Sequence, residues 1–387
     1  MDRRDYLVFS EGKIGPMRLK NRIIRSATVD VYSKKNTDQC GEQTIATYKK
    51  LAQGGVGLII TGDIPAASFG SIDGISKLAD AVHGTNSGCR IVVQLSAYDG
   101  MPSDVPSPFA AGPVKVLTIP EIETVVQRFV AVIAEAKTAG FDGVELHAAH
   151  GHGLLSYFLS PFTNRRTDRY GGSAVNRTRI IREIVDGARK TAGDFPILAK
   201  INCNDYVEGG IDIDSFPEQA GAIADCGVDA IEISGGSVHC LVRSEAELGF
   251  PPRPCPEAHT RINTVAEQSY FLAHAEAINL NIPLILVGGN RDIERMENAV
   301  KSGSIDFFAL CRPLINEPDL PNRWLRGQGP QTAGCISCNT CLYPLFSEAE
   351  RVTTYSVYRA DKQLYREAAR WLRNWIPNRL AEPVSYT

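Results

Sequence analysis

The chain has 387 residues, of which 43% are hydrophobic and 22% charged, and 41 basic against 44 acidic side chains give a formal charge of −3. A chain of that size buries roughly 70% or more of its unfolded surface, so its core needs neither disulfides nor a structural metal. The 34 glycines and 22 prolines are too few for a low-complexity or collagen-like protein, and the near-balance of charge argues against a nucleic-acid partner.

No run approaches the about 18 apolar residues of a membrane span. The N-terminus MDRRDYLVFSEGK has charges on both sides of a short apolar stretch and does not read as a signal peptide. A cytoplasmic location is expected.

Eight short β-branched or apolar runs, each closed by polar or small residues, predict strands. In chain order they are Arg22–Val29, Gly57–Gly62, Arg90–Leu95, Val144–His147, Ile197–Ile201, Ala230–Ser234, Pro283–Val287 and Phe307–Leu310. Helical pattern fills most gaps between them. In residues 120–138, Ile122, Val125, Val126, Phe129, Val130 and Ile133 recur at helical spacing, with Pro120 near the start.

Near-continuous apolar strands favour parallel pairing under crossover helices. Eight βα units in about 300 residues suit a closed (β/α)8 TIM barrel better than a doubly wound sheet, and the longer gaps after the third and fourth strands read as active-site loops. Residues 1–344 are assigned to this barrel and 345–387 to a C-terminal helical extension. There Leu364, Ala368, Trp371 and Trp375 recur at helical spacing before Pro377. That helix covers the barrel or, alternatively, makes a homodimer contact rimmed by Arg366, Arg370 and Arg373.

In such barrels chemistry gathers at the carboxyl ends of the strands. The fourth strand runs into VELHAAHGHGLLSYFLSPFTNRRTDRYGGS, beginning at Val144. His147 and His150, three apart, can aim both imidazoles at one carbonyl oxygen and polarise it. His152 follows on the same Gly-interrupted loop. No third ligand at tetrahedral reach accompanies them, so no metal is expected. After the seventh strand, Gly288 and Gly289 let backbone N–H groups approach a phosphate, and after the eighth Arg312 offers it a fork of donors.

The segments HAAHG, FLSP and NRRTDRYGGS resemble the signature of the Old Yellow Enzyme family of FMN-dependent NAD(P)H:flavin oxidoreductases and ene-reductases. NRIIRSAT at 21–28, GLIITG at 57–62, QL at 94–95, AKINCNDYVEGG at 199–210, ILVGGN at 285–290 and FFALCRPLINEPDLPNRW at 307–324 continue the resemblance in order. It covers about residues 5–342.

The resemblance implies a flavoprotein barrel that binds FMN tightly but non-covalently and takes NADPH or NADH as a transient reductant. Carried over by position, Ala27 and Thr28 lie under the isoalloxazine, Gly62 and Asp63 at the second strand's flavin contact, and Gln94 on the pyrimidine edge. His147 also touches the cofactor. Lys200 stands against flavin N1/O2, where negative charge gathers on reduction. Gly288, Gly289, Cys311 and Arg312 serve the phosphate, with Cys311 in place of a common glycine.

The departures concern the substrate. Relatives place a proton-donating Tyr where this chain has His152, so His152, Tyr157 and solvent all stand as proton donors. QLSAYDG replaces a QLxHxGR text: Ala97 removes a histidine, and Tyr98 adds a phenol beside the pocket. CISCNTC resembles the cysteine run of an iron–sulfur centre in longer members such as dienoyl-CoA reductases, yet no fourth thiolate follows Cys341. Cys335, Cys338 and Cys341 therefore read as a vestigial or structural turn, and residues 345–387 are too few for those members' further redox domains.

The expected activity is reduction of the activated C=C bond of an α,β-unsaturated carbonyl compound. The alternatives are an oxidative, demethylating or isomerising member of the family, a flavin-free barrel acting on a phosphorylated substrate, and a binding barrel without chemistry.

Overall fold

All eight expected segments contain a strand, and parallel pairing joins them in a ring. A computed structural model describes residues 3–29, 40–71, 74–106, 108, 113–253, 255–342, 366–367 and 370. Two strands precede the ring: β1 (Gly12–Ile14) and β2 (Met17–Leu19). The ring itself comprises β3 (Ile23–Arg25), β4 (Leu58–Pro65), β5 (Arg90–Ser96), β6 (Gly143–Ala148), β7 (Ile197–Asn202), β8 (Ala230–Ser234), β9 (Leu284–Leu286) and β10 (Phe307–Leu310). The order β10-β3-β4-β5-β6-β7-β8-β9 is a closed barrel, sealed where Phe308 pairs with Ile23.

Strand periodicity divides the apolar residues between two cores. Ile24, Leu58, Ile60, Val92, Leu198 and Ile285 point inward, whereas Ile59, Val93, Val144 and Ile231 pack outward in the core shared with the helices. The helix Ile119–Thr138 shows how that outer layer is built. Glu121 accepts hydrogen bonds from the backbone and hydroxyl of Thr118 at its start, Pro120 fits the first turn, and Ile122, Val126, Phe129 and Ile133 are buried.

The hairpin β1/β2 lies outside the expected elements, because three-residue strands carry no readable period. Ile14, Met17 and Leu19 join the inward cluster with Phe307 and Ala309 and so plug the amino-terminal end of the barrel. Its turn uses Gly15 at φ +52°, where a side chain would also strike Asp229. Strand β3 is shorter than expected: the chain leaves the sheet after Arg25 and carries Ser26–Val29 to the barrel mouth.

In the C-terminal extension, Arg366, Glu367 and Arg370 are helical and exposed. Leu364, Ala368, Trp371, Arg373 and Trp375 lie outside the described residues. Among the described residues no helix is long and apolar enough to cross a membrane.

Candidate active site

Register assembles the site. Gln94 of β5 pairs with Glu145 of β6, His147 of β6 with Lys200 of β7, and Lys200 with Glu232 of β8. Residues paired across parallel strands share a face, so these side chains form a polar layer inside the barrel, above the apolar plug. Gln94 Nε2 donates to Glu145 Oε1 at 2.6 Å, and Lys200 Nζ lies 2.9 Å from Glu232 Oε1 and 3.2 Å from Ser26 Oγ. Ser26 in turn donates to Glu232 at 2.7 Å. Burial alone would lower the Lys200 ammonium, but Glu232 and Glu145 outweigh it and hold it above its usual range.

A β-bulge positions Asp63. Ile60 pairs with Val92 and Asp63 with Gln94, so β4 spends three residues where β5 spends two. The extra residue turns Asp63 inward, as bulges beside active sites do. Its Oδ2 accepts from Ser96 Oγ at 3.0 Å and Tyr98 Oη at 2.8 Å. Burial pushes this carboxyl up, yet His147, His152 and the two hydroxyl donors prevail and hold it below the usual carboxylate range. The Tyr98 hydroxyl also lies 3.3 Å from His152 Nδ1.

At the end of β6 the two expected histidines come together, with ring centroids 5.5 Å apart and a 64° interplanar angle. His150 adopts φ +70°, a left-handed conformation that costs a non-glycine residue about 1–3 kcal/mol. It is held there from both sides: its N–H donates to Asn202 Oδ1, its carbonyl accepts from Val238, and its Nε2 meets Ser234 Oγ at 2.8 Å. His147 Nδ1 is buried with no hydrogen-bond partner among the described residues. Burial holds His147 down to about 3 against the pull of Asp63, and burial with the Lys200 charge holds His150 well below its usual value. Both rings are therefore neutral at pH 7, each with one N–H to donate.

His152 sits 6.0 Å from His147, ring to ring. Tyr157 is buried in the short helix Leu154–Leu159, 6.2 Å from His239 in an edge-on contact. The NRRTDRY text braces this mouth. Arg166 donates to the carbonyls of Pro102 and Leu117 and pairs with Asp168, fixing the long loop after β5.

The remaining expected residues line the same end. Ala27 packs on the inner cluster, and Thr28 Oγ1 bonds Ser26 O and contacts Cys311 Sγ at 3.1 Å. The N–H of Gly62 donates to Tyr48 Oη. Gly288 and Gly289 have φ +109° and +71°, and their Cα faces abut Tyr270, whose ring stacks 4.0 Å from His259. Here the glycines are required by an aromatic wall that the strand text did not disclose. Arg312 is buried and gives Nη1 to His259 O at 2.9 Å and Asn339 Oδ1 at 2.6 Å. Cys335 is buried and Cys338 and Cys341 are half-buried; among the described residues no group of three His, Cys, Asp or Glu is arranged to hold a metal ion.

Glu145, Glu232 and Ser26 were missed as site residues. Their signal was a charge or hydroxyl on the inward phase of an apolar strand, two residues from His147, Ser234 and Ile24 respectively. Asp63 was expected from the resemblance, but its inward aim depends on the bulge, and the link from Tyr98 to His152 joins two loops.

The donor set fits FMN. A buried cation, Lys200, supports an electron-rich ring edge, and Gln94, with Nε2 committed to Glu145, presents Oε1 to an N–H. His147 Nδ1 is an orphan that a bound group would satisfy. Positive-φ glycines and Arg312 stand together at the ends of neighbouring strands.

The profile of the NADH:flavin oxidoreductase / NADH oxidase family matches residues 8–329. The chain is 33% identical over 362 residues to an NADH oxidase of Thermoanaerobacter brockii, covering 86% of this chain and 52% of that protein. It is 32% identical over 337 residues to an NADPH dehydrogenase of Bacillus subtilis, covering 80% and 92%. The solved complex of 2-naphthoyl-CoA reductase with 2-naphthoyl-CoA matches with a TM-score of 0.71 at 25% identity, over 86% of this chain and 54% of that one. The chain thus spans about half the length of the first of these relatives. FMN and a nicotinamide nucleotide are the cofactors of this oxidoreductase group. Barrel, polar layer, histidine pair and sequence match agree: the chain belongs to the NADH:flavin oxidoreductase / NADH oxidase family, the Old Yellow Enzyme group.

Proposed function

We propose that the protein reduces the activated C=C bond of α,β-unsaturated carbonyl compounds at the expense of NADH or NADPH. The observation that carries this reading is the neutral pair His147 and His150 at the end of β6. Their rings are 5.5 Å apart, close enough for both to reach one oxygen. FMN, when bound, supplies the hydride that no side chain can.

His147 and His150 donate to the acceptor's carbonyl oxygen and draw electron density from its β-carbon. Neutral donors suit this chemistry, because they strengthen as charge develops on the oxygen without having had to bring a cation into a buried site. Lys200 adds fixed positive potential from below. Asn202 and Ser234 keep His150 in its left-handed conformation, so its orientation is set before substrate arrives.

His152 is the proton donor to the α-carbon in this scheme, and Tyr157 serves as a wall. Tyr98 has one hydroxyl proton and gives it to Asp63, which can only accept. Toward His152 Nδ1 the phenol oxygen is then the acceptor, which places a proton on Nδ1. In the donating form of the ring the transferable proton is therefore the one on Nε2, and Asp63 supports that form through Tyr98.

Reconstitution with FMN followed by anaerobic turnover with NADPH or NADH and a cyclohexenone-type acceptor tests the reading. The saturated ketone is the expected product. A protein whose bound flavin is reduced by nucleotide but is never reoxidised by any activated alkene would overturn it.

A further inference from the structure

Two carboxyl groups share the barrel interior with a single ammonium, Lys200, to balance them. Glu145 and Glu232 are both fully buried. Each has one satisfied oxygen: Glu145 Oε1 accepts from Gln94, and Glu232 Oε1 from Lys200 and Ser26. Oε2 of each receives nothing from any other described group. The two carboxyls sit on β6 and β8, the strands on either side of β7, where both act on Lys200 and Glu232 acts on Glu145.

Two carboxylates beside one ammonium in a low dielectric do not both stay charged, and one proton shared between them would give both orphan oxygens a partner. Burial and Glu232 push the Glu145 carboxyl far above its usual range, and Glu145 has only the Gln94 amide beside it where Glu232 has Lys200 and Ser26, so the proton belongs on Glu145. The layer then holds one cation, one anion and one neutral acid. Burying such a set costs stability, and an apolar residue would fill either position more cheaply.

We propose that Glu232 and Glu145 are positioning residues that set the reduction potential of bound FMN, Glu232 by offsetting the charge of Lys200 and Glu145 by confining that anion and fixing the Gln94 amide. The inference rests on FMN lying over Lys200, which the family resemblance implies. Its sign follows from charge. Reduced flavin carries more negative charge than oxidised flavin, so an uncompensated Lys200 favours reduction and a compensated one restrains it. Glu232→Gln alone frees Glu145 to ionise in its place, so the informative variant removes both acids.

The test is a spectroelectrochemical titration of bound FMN in the wild type, Glu145→Gln, Glu145→Gln/Glu232→Gln and Lys200→Met. The double variant is expected to favour the reduced flavin by about tenfold, which is about 30 mV for a two-electron couple. Glu145→Gln, which replaces a neutral acid by a neutral amide, stays within about twofold of the wild type, and Lys200→Met shifts in the opposite direction. If Lys200→Met moves the potential but the double variant does not, the tuning role is overturned while the cofactor's placement stands. If neither moves it, FMN does not lie over Lys200 and the proposal falls with that placement. If Glu145→Gln moves it as far as the double variant, Glu145 carries the charge and the assignment is wrong.

A measurement on the FMN-free protein is independent of how well the variants load. Infrared spectra at neutral pH should contain the carbonyl stretch of a protonated carboxylic acid, shifted by 13C-glutamate labelling and lost in Glu145→Gln. Its absence from the wild type would overturn the shared proton.

Discussion

Tyr98 donates its only hydroxyl proton to Asp63, 2.8 Å away, and the same oxygen faces His152 Nδ1 at 3.3 Å. A phenol so placed fixes the tautomer of the neighbouring imidazole and couples it to a half-buried carboxylate. Replacing Tyr98 with Phe keeps the ring and removes the coupling. The variant should lose about tenfold or more in kcat for alkene reduction with little change in KM, within the range for general acid catalysis. Tyr98 is also one of the donors that hold the Asp63 carboxyl down. Its loss should therefore move the acid limb of the pH–rate profile to higher pH, a displacement that mere damage to packing would not produce.

The two histidines at the end of β6 should act on the acceptor as a unit. Removing one preorganised donor to a developing oxyanion typically costs about 10²–10³ in rate. His147→Ala and His150→Ala should each slow reoxidation of reduced enzyme by an enone by at least about 10²-fold in stopped-flow measurements. The double variant should be little slower than either single one. Ser234→Ala, which removes the partner of His150 Nε2 without touching the ring, should produce a smaller loss of the same kind.

Acid should weaken the FMN-free protein through its buried histidines. Burial lowers His147 and His259 to about 3 and His239 to about 4, from an ordinary value of 6.5. Below pH 6.5 the unfolded chain takes up protons that the folded one refuses. Stability thus falls as pH drops from 6.5 toward each folded value, by about 1.4 kcal/mol per pH unit per group, and is unaffected by these groups at higher pH. His259 lies stacked between Phe250 and Tyr270. A His259→Phe variant should retain more of its pH 7 stability at pH 5 than the wild type does, read from denaturant midpoints at the two pH values.

Why some of this was legible and some was not follows from the range of each interaction. The barrel was readable because eight apolar runs carry their own period and punctuation. His147 and His150 were locatable because the fourth strand runs out at them, and Lys200 through the family resemblance. Asp63 faces inward only because β4 contains an extra residue, and that residue is invisible until β4 is laid against β5. The hairpin from Gly12 to Leu19 is too short for periodicity. The aromatic wall of His259, Tyr270 and Phe271 comes from a loop whose text has no pattern. Glu145 and Glu232 stood in plain view, but a strand glutamate acquires meaning only when another strand supplies the second one.

Gly288 separates conformational need from cofactor contact. A methyl there would meet Tyr270 and Phe271 at 2.7–2.8 Å in a backbone conformation that side chains rarely adopt. Gly288→Ala should destabilise the fold by about 1–3 kcal/mol and also weaken FMN binding, measured by flavin fluorescence. Gly303→Ala is the control. Its φ is +77° with open space around it, so it should lower stability through strain alone and leave FMN affinity unchanged.

The seam between β3 and β10 has a kinetic consequence. It joins positions about 285 residues apart in the chain, the kind of non-local contact that slows folding. During synthesis β3 emerges early and presents an open edge until Leu310 has left the ribosome, and edges of that kind template aggregation. The plug residues Ile14, Met17 and Leu19 likewise wait for Phe307 and Ala309 to complete their cluster. Sealing of this barrel thus waits for its last strand, and chaperone capture of the growing chain should fall sharply once β10 becomes available to pair.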